Sequence, residues 1–556
     1  MQPSPQNATL TTPQVFHHSL DWRFLLPIAD LHKGYFLFED DVELSQALEH
    51  VGIHPSQQLS FSDFGNPKNE KNPFLVLPFG LPTGLVGTRS ADRVEFYSSA
   101  RRFLAPGGTL LVGFNNSLGW RDYRGMKYHS FTPLHLKNEL KQAGFISVEI
   151  FGAMPNLRIP EYIFELDSRT LRFALQNRFR RKPAVLRALR ILSGTFGWKS
   201  LSHFLPCYFA VTTVSAMMNS FLYELSEYGA SLPEGKRKLF SAPPHWVSLA
   251  NGDADFHDNV IFFGFDKQES DPVLVAKVPR LSKNGWMLKT EYDHLLELWD
   301  CMGTAAVNYI PKPYALPMLQ DRPVLMISYV TGESLTRLSR KSFWEDNRQV
   351  GALAREAART LRDLNRLTER RIQGEDTPDR DQQTKIDRFR ELFQLRAEED
   401  RALAELVMIM NEKSKTASRE VLIQGDFWHG NMIRDRKRGR LMFVDWQFAR
   451  WSADVSLDVY FFLLAGALSA SGSESVEERA KQAFQLLTNW RTDVIPEYLD
   501  VYGQPDHYVL LPQKYGMMLC CVEKAVRPTM EFGYSHPDDL LWRYLFAELQ
   551  NWPAEP

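Results

Sequence analysis

Two short apolar runs, separated by a polar loop and a charged turn, constrain the fold of this chain more than any other stretch. The run VLI ends at Ile423, the loop QGDFWHGN follows it, and the run RLMFV leads directly into Asp445. The charged turn DRKRG between them ends in glycine, which is typical of a connection between two strands. The pattern therefore predicts two strands, with Asp426 just after the first and Asp445 at the end of the second.

Length and composition indicate a multidomain protein of ordinary character. A chain of 556 residues is too long for one hydrophobic core, so we expect about two to four domains. The 65 basic and 67 acidic residues nearly cancel, so nucleic acid is not an expected partner.

The four cysteines lack metal-ligand spacing, which fits a cytoplasmic protein. The longest apolar stretch, FFLLAGAL, is shorter than the roughly 20 residues that span a bilayer. Nothing in the sequence points to a particular oligomeric state.

Strand-like and helix-like runs alternate over residues 21–215. The runs GYFLF, PFLVLPFG, TLLVGF and SVEIFG have the composition of strands, whereas VELSQALEHVG, VEFYSSARRFL and LHLKNELKQAGF have that of helices. Such alternation predicts an α/β sheet domain. The preceding residues 1–20 lack a basic region followed by an apolar one, and we expect them to form a disordered tail.

The second half of this domain resembles a class I S-adenosylmethionine-dependent methyltransferase. The resemblance covers about residues 73–165 and rests on RFLAPGGTLLVGFNN, a helix ending in AGF, and the strand SVEIFG. It implies a Rossmann-like sheet. The first half of that family carries a glycine-rich turn after its first strand, but here Glu39, Asp40 and Asp41 occupy this place without a glycine. We therefore expect a degenerate domain that does not bind S-adenosylmethionine, and an active methyltransferase is the alternative.

A basic segment closes the first half of the chain. Between Arg169 and Lys199 there are nine lysines or arginines and no acidic residue. Apolar residues are spaced as on amphipathic helices, with a break at Pro183. One interpretation is a solvated pair of helices that covers the sheet domain. The other is an interfacial helix on anionic lipid, which would make the protein peripheral to the inner membrane face.

A different organisation follows a connecting helix and linker at residues 216–244. NVIFFGF and PVLVAKVPR are predicted to be paired strands, with Lys277 inside the second, and the helix TEYDHLLELWD carries Glu291 near its start. A lysine in a strand usually faces solvent. When it pairs with a glutamate of the following helix, however, it forms the arrangement that holds nucleotide phosphates in kinases. The next strand, VLMISYV, contains Ser328 and Val330 and leads into a linker.

These features occur in a recognisable order. Lys277, Glu291, the linker from Ser328 to Gly332, QGDFWHGN and VDW resemble the aminoglycoside phosphotransferase and choline kinase family of small-molecule kinases. The resemblance covers about residues 245–545. It implies a bilobal protein-kinase-like fold, so that the whole chain combines α/β and α+β domains. The predicted boundaries are a tail at 1–20, a methyltransferase-like domain at 21–215, a connection at 216–244, an N-lobe at 245–332 and a C-lobe at 333–556.

Phosphoryl transfer explains the spacing of the polar residues in the C-lobe. The reaction needs an in-line acceptor hydroxyl, a carboxylate that takes its proton, and cations that neutralise the phosphates. Asp426 would supply the carboxylate. Asn431 and Asp445 would hold Mg²⁺, which prefers oxygen ligands. The alternative for all three is that they bond loop backbone amides, as Asx residues often do.

The nucleotide is expected to bind through the N-lobe and the linker. Lys277 would contact the phosphates as a point charge oriented by Glu291. Ser328 and Val330 of the linker are the other candidate nucleotide contacts. The predicted cofactors are therefore ATP and Mg²⁺.

The acceptor is expected to be a hydroxylated small molecule, a sugar or a lipid-linked sugar. Within the resembled region at residues 245–545, HRD, DFG and APE triplets are absent, which argues against a protein kinase. The resembled family usually has histidine where this chain has Gln424, and the amide can replace it or weaken the activity. A pseudokinase scaffold and a bifunctional methyltransferase–kinase are the alternative functions.

Overall fold

The computed structural model covers the full chain. It describes residues 20–38, 41–59, 72–81, 89–116, 119, 130–180, 182–214, 220–234, 237–250, 259–335, 341–372, 379–473, 475–533 and 537–553. The predicted tail at 1–20 lies outside the described residues except for Leu20, and Glu39 and Asp40 also lie outside them.

The chain forms two compact units of mixed α and β content. We call Val15–Lys289 with Tyr314–Tyr329 the sheet unit. Thr290–Pro313 with Val330–Pro556 form what we call the helical unit. Each is described below by itself.

The sheet unit holds most of the strands. Its strands are β1 (Tyr35–Leu37), β2 (Gln58–Leu59), β3 (Asn72–Leu77), β4 (Leu104–Asn116), β5 (Ser130–Phe131), β6 (Ser147–Pro155), β7 (Pro160–Glu165), β8 (Cys207–Thr213), β9 (Pro233–Glu234), β10 (Arg237–Lys238), β11 (His245–Ala250), β12 (Asn259–Phe265), β13 (Leu274–Pro279), β14 (Pro313–Ala315, which begins at the border), β15 (Met318–Leu319), β16 (Arg322–Pro323) and β17 (Leu325–Ser328). Its helices are α1 (Val42–His50), α2 (Ser90–Phe103), α3 (Pro133–Gln142), α4 (Ser168–Arg178), α5 (Pro183–Phe196), α6 (Trp198–Leu201), α7 (Phe221–Ser231) and the start of α8 (Gly285–Met302).

One large sheet runs through this unit in the order β17-β13-β12-β11-β7-β6-β8-β4-β3-β1-β2. The strands β2, β1, β3 and β4 are mutually parallel. From β4 through β8, β6, β7, β11, β12 and β13 to β17, every neighbouring pair is antiparallel. The parallel end is covered on both faces, which explains why its strands are continuous apolar runs. On β4, Leu111 belongs to one hydrophobic core, whereas Leu110 and Val112 belong to the core on the opposite face.

The strands predicted for the α/β domain and those predicted for the N-lobe share this one ladder. β7 pairs with β11 through Phe164 opposite Val247 and Ile163 opposite Ser248. The Ser248 hydroxyl also donates to the Ile163 carbonyl at 3.1 Å. Residues 160–165 and 245–250 are therefore neighbours in the sheet, although they lie on opposite sides of the predicted connection at 216–244. The predicted domain boundaries stay a prediction.

A buried ion pair joins the first turn of the described chain to the end of β13. Arg280 donates from Nε and Nη2 to the two carboxylate oxygens of Asp21, each at 3.0 Å. Both side chains are only 1% exposed. Arg23 donates to the Arg280 carbonyl at 3.2 Å, and burial, followed by the charge of Arg322, lowers the pKa of Arg23 to about 9. The carboxylate of Asp21 thus compensates the charges of the buried arginines Arg280 and Arg23.

The helical unit contains most of the remaining helices. These are α9 (Lys341–Trp344), α10 (Asn347–Thr368), α11 (Asp379–Leu392), α12 (Ala397–Ser414), α13 (Ser456–Ala470), α14 (Val476–Trp490), α15 (Val494–Tyr502), α16 (Gln513–Phe532) and α17 (Pro537–Leu549). Its strands are β18 (Gly332–Ser334), β19 (Arg370–Arg371), β20 (Arg419–Ile423), β21 (Met432–Asp435), β22 (Leu441–Phe443) and β23 (Arg450–Ser452).

Helix α13 is the centre of this unit. Almost all of its residues are buried, because the run SLDVYFFLLAGAL is apolar around the whole helix. It packs against α14 and α16, and α16 also packs against α11, α12 and α17. Two small sheets, β18-β21-β22 and β19-β20-β23, complete the unit. None of the helices in the described residues is both long and apolar enough to cross a membrane.

The buried pair predicts a large stability cost for removing one partner. In Asp21→Asn the carboxylate is lost while Arg280 and Arg23 stay buried, so we expect the free energy of unfolding to fall by about 3–5 kcal/mol. Urea unfolding followed by tryptophan fluorescence measures this change. The control is Arg158→Gln, which breaks the pair with Asp41 (2.8 Å), because Arg158 is 34% exposed and such a pair contributes about 1 kcal/mol or less. Equal losses in the two variants would contradict the prediction.

Candidate active site

The loop between β20 and β21 carries the central residues of the site. β20 ends at Ile423, so Asp426 follows a strand as predicted, and a 3-10 turn formed by His429–Asn431 leads into β21. Gly425 has a φ of 75°. A Cβ atom at Gly425 would lie 2.4 Å from the carbonyl oxygen of Phe448. Both its backbone conformation and this close approach therefore require glycine directly before Asp426.

Asp458, in the first turn of α13, holds the start of this loop. Its carboxylate accepts the backbone N–H of Gln424 at 2.6 Å and that of Gly425 at 2.8 Å. Burial raises the pKa of Asp458 to about 6, although the two backbone hydrogen bonds act in the opposite direction. Asp458 therefore supports the loop.

Asp426 and Asn431 are brought together by the turn. Asn431 Nδ2 donates to Asp426 Oδ2 at 2.8 Å and to the Asp426 carbonyl at 3.1 Å. The amide nitrogen of Asn431 is thereby used, which leaves its oxygen for a different partner. The backbone carbonyl of Asn431 accepts the N–H of Val444 at 3.0 Å. This bond ties the loop to the residue that precedes Asp445.

The other oxygen of Asp426 is held by cations from α16. Lys524 Nζ donates to Asp426 Oδ1, and Arg527 Nη1 lies 3.5 Å from the same oxygen. Burial raises the pKa of Asp426, but the charges of Lys524 and Arg527 outweigh it and bring the pKa below its usual range. Burial, followed by the charge of Arg527, lowers the pKa of Lys524 to about 8. Asp426 is therefore an ionised carboxylate at neutral pH.

Asp445 lies two residues after β22 in an unusual backbone conformation. Its φ is 61°, a left-handed value that non-glycine residues seldom adopt and that clusters at functional sites. Gln424 Nε2 donates to the Val444 carbonyl at 2.6 Å and to the Asp445 carbonyl at 3.3 Å. The amide of Gln424 thus connects the loop to the Asp445 segment, which is a task that an imidazole N–H could also perform.

The donor set suits a hard cation. The Asn431 amide oxygen and the Asp445 carboxylate are the oxygen ligands that Mg²⁺ prefers, and Mg²⁺ usually keeps several waters besides one or two protein ligands. Within the described ranges, histidine, cysteine, aspartate and glutamate side chains do not cluster in groups of three or more that could hold a metal ion.

The predicted nucleotide-binding residues are divided between the two units. In the sheet unit, Lys277 lies on β13 opposite Ile261 and Leu325, and it is only 5% exposed, which is unusual for a lysine in a strand. Ser328 is the last residue of β17. The pairing of Lys277 with Glu291 stays a prediction.

In the helical unit, Glu291 is fully buried on α8. Its Oε1 accepts the N–H of Trp446 at 3.3 Å. This contact places Glu291 beside the residue that follows Asp445. Val330 is buried just before β18, and a nucleotide contact of Ser328 and Val330 stays a prediction.

His429 lies in the loop between β20 and β21, but its environment is that of a packing residue. Its ring is fully buried and lies 4.8 Å from the ring of Trp344. Burial lowers the pKa of His429 to about 4, so the imidazole is neutral at physiological pH. We assign it no role in proton transfer.

Sequence analysis does not single out Lys524 and Arg527, although they contact Asp426 directly. The available signal is the run YGMMLCCVEKAVR, in which three charged residues interrupt an otherwise apolar helix. Charged side chains are almost never buried unless they are paired. Such an interruption therefore indicates a buried partner, but the partner itself lies about a hundred residues away in the sequence.

Comparison with solved structures finds similar proteins at low sequence identity. A choline/ethanolamine kinase family protein from Mesorhizobium loti is 14% identical, with coverage of 59% of this chain and 93% of that chain and a TM-score of 0.33. An aminoglycoside phosphotransferase from Streptomyces rimosus is 15% identical, with coverage of 55% and 92% and a TM-score of 0.31. A thermostable mutant of another aminoglycoside phosphotransferase, in a ternary complex with ADP and hygromycin B, is 12% identical, with coverage of 60% and 99% and a TM-score of 0.36.

Comparison with family models gives a more direct result. Residues 287–492 match the phosphotransferase enzyme family. A search of curated proteins gave no match. The matched region contains Glu291, Asp426, Asn431 and Asp445. Over these residues the chain is similar to the phosphotransferase enzyme family.

Proposed function

We propose that the chain is an ATP- and Mg²⁺-dependent phosphotransferase that transfers the γ-phosphate to a hydroxyl group of a small molecule, a sugar or a lipid-linked sugar. The observation that carries this proposal is the 2.8 Å hydrogen bond from Asn431 to Asp426 within the family match at 287–492. It couples a carboxylate that can accept a proton to an amide that can hold a cation. A bilobal kinase-like arrangement, with an N-lobe at 245–332 and a C-lobe at 333–556, is part of the proposal.

Asp426 is the proposed catalytic base. The acceptor oxygen attacks the γ-phosphorus, the bond to the bridging oxygen of ADP breaks, and the acceptor proton moves to the Asp426 carboxylate. Each carboxylate oxygen can accept about two hydrogen bonds. One bond is present on each oxygen, from Lys524 to Oδ1 and from Asn431 to Oδ2, so the acceptor hydroxyl can add to either.

Asn431 and Asp445 are the proposed Mg²⁺ ligands. The ion neutralises charge on the phosphates when it is bound. The Val444 N–H donates to the Asn431 carbonyl, and the side-chain amide of Gln424 donates to the Val444 carbonyl. These two bonds join the segments that carry the proposed ligands. The positions of Asn431 and Asp445 therefore depend on the same loop that orients Asp426.

Lys277, Glu291, Ser328 and Val330 complete the proposal on the nucleotide side. Lys277 is buried on β13. Its ammonium group would contact the phosphate oxygens of the nucleotide as a point charge. Glu291 would orient the lysine, and the linker around Ser328 and Val330 would contact the base and ribose.

For residues 21–215 we propose a degenerate methyltransferase-like domain. The parallel order β2-β1-β3-β4 supports this assignment. In such sheets a ligand binds beyond the carboxyl ends of the two strands at which the strand order reverses, which here are β1 and β3. Asp41, just beyond β1, accepts the Leu44 N–H at 3.0 Å and pairs with Arg158 at 2.8 Å. With its carboxylate engaged, Asp41 is poorly placed to hold a ribose, so S-adenosylmethionine is not part of the proposal.

We also propose that the cytoplasmic protein rests on anionic lipid through α5. The apolar residues Ile191 and Phe196 of this helix are 64% and 63% exposed, and only Leu189 of α5 is buried. Lys182, Arg187 and Arg190 are exposed on or next to the same helix. Apolar side chains combined with basic ones are the composition of an interfacial helix. A lipid-linked acceptor would fit such a location.

The proposed roles of the two aspartates predict different kinetic effects. We expect Asp426→Asn to keep the affinity for Mg²⁺-ATP while lowering turnover about 10²–10⁴-fold, because it removes the proton acceptor. We expect Asp445→Asn to weaken Mg²⁺-dependent ATP binding as well, because it removes a charged ligand. Calorimetry measures the binding, and ADP release in the presence of choline, ethanolamine, hygromycin B, glucose or glycerol measures the transfer.

The wild-type protein decides between an enzyme and a scaffold in the same experiment. If the wild type binds Mg²⁺-ATP but none of these acceptors stimulates ADP release above the rate with water, the pseudokinase alternative is favoured. If it binds Mg²⁺-ATP no better than Asp445→Asn, the phosphotransferase proposal fails.

The membrane proposal predicts salt-sensitive binding to phosphatidylserine vesicles. Each basic residue near such a surface contributes about 1 kcal/mol, so replacing Lys182, Arg187 and Arg190 by Gln should weaken vesicle binding about 100-fold. The matched control is Arg178→Gln, because Arg178 is already paired with Glu161 at 2.7 Å. Sedimentation with vesicles at low and high salt measures the effect, and absence of binding at low salt would leave α5 as a solvated helix.

A further inference from the structure

Two cations of α16 lie against the catalytic loop. Lys524 Nζ donates to the carbonyl of Gly425 at 3.2 Å, and Arg527 Nη2 donates to the same carbonyl at 2.7 Å. The two residues are three positions apart, so they lie on the same face of the helix. This face contacts both the backbone before Asp426 and, through Lys524 Nζ, the carboxylate of Asp426 itself.

Both side chains are kept in place by their surroundings. They are only 7% and 9% exposed. Lys524 Nζ lies 3.6 Å from the centre of the Phe461 ring, and the guanidinium of Arg527 lies 4.3 Å from that of Phe448. Cation–π contacts of this kind strengthen when water is excluded. The ammonium group of Lys524 is therefore held at the Asp426 carboxylate with little freedom to move.

Stability alone is a poor explanation for this arrangement. A buried ion pair contributes little compared with apolar residues of the same volume, because both charges lose their hydration. The rest of α16 from Met517 to Val522 is apolar and buried, so the fold already supplies apolar packing there. The charged contact of Lys524 is made with Asp426, the proposed base. This position indicates a role in the proposed reaction.

We propose that Lys524 is a positioning residue for phosphoryl transfer. Its ammonium group holds Asp426 Oδ1 while Asn431 holds Oδ2, and together they fix the carboxylate in the orientation that receives the acceptor proton. This inference rests on the proposed phosphotransferase function. Lys524 stays protonated during the step: the proton moves from the acceptor hydroxyl to Asp426, and the electron pair of the broken phosphorus–oxygen bond leaves with ADP. Arg527 supports the same carboxylate from 3.5 Å.

The test uses the full-length protein and the probe from the panel above that gives the highest rate of ADP release, with water as the probe if no other member exceeds it. We expect Lys524→Met to lower kcat about 100-fold, as a misplaced catalytic group does. We expect the KM for ATP to stay within about twofold, because Lys524 acts on the base and not on the nucleotide. Lys524→Arg keeps a charged donor and should recover at least about a tenth of the wild-type kcat.

Arg543→Met is the control, because the half-buried Arg543 pairs with the buried Glu399 at 3.1 Å on other helices of the same unit. It should lower the melting temperature as Lys524→Met does but leave kcat within about twofold of wild type. If Lys524→Met does not fold, Lys524→Gln replaces it, with the same expected loss of kcat and the same rescue by Lys524→Arg.

The outcomes separate this inference from the function on which it rests. A wild type that releases ADP and a Lys524→Met variant with unchanged kcat would overturn the inference alone. The same holds if Lys524→Arg is as slow as Lys524→Met or if the KM for ATP rises in parallel with the loss of kcat. A wild type that releases no ADP with any probe would overturn both proposals.

Discussion

The candidate site depends on the two hydrogen bonds that the backbone N–H groups of Gln424 and Gly425 donate to the carboxylate of Asp458. Burying a carboxylate is unfavourable, as its pKa of about 6 shows, and two backbone donors compensate for part of that cost. With these two amides fixed and Gly425 in a left-handed conformation, the chain leaves β20 in one direction. Asp426 therefore reaches the side chains of Asn431 and Lys524.

Short sequence patterns were sufficient to predict the part of the candidate site whose residues are close together in the chain. The apolar runs on either side of QGDFWHGN predicted β20 and β22, and the five-residue spacing placed Asn431 close enough to bond Asp426. The alternation of runs at residues 21–215 likewise predicted the α/β sheet. Each of these inferences needs only the periodicity of strands and helices and the geometry of a short turn.

Contacts between distant residues were beyond the reach of such patterns. Asp21 and Arg280 are 259 residues apart, and Lys524 is 98 residues from Asp426. A charged residue in an apolar helix indicates that a buried partner exists, but any of the 67 acidic residues could be that partner. The pairing follows only from the packing of α13 and α16, which brings α16 to the loop. Sequence alone therefore singled out the proposed base, Asp426, but not the cations that contact it.

The ladder between β7 and β11 gives the amino-terminal strands a structural role. β11 pairs with β12 on one side and with β7 on the other, and His245 at its start lies 2.5 Å from Glu165 at the end of β7. Without β7, β11 would be an edge strand, paired only with β12. The open side of an edge strand exposes backbone groups that promote aggregation. β11 belongs to the same sheet as β13, the strand that carries Lys277. The amino-terminal strands therefore complete the sheet on which the proposed phosphate-binding lysine lies, and this structural role requires no second catalytic activity.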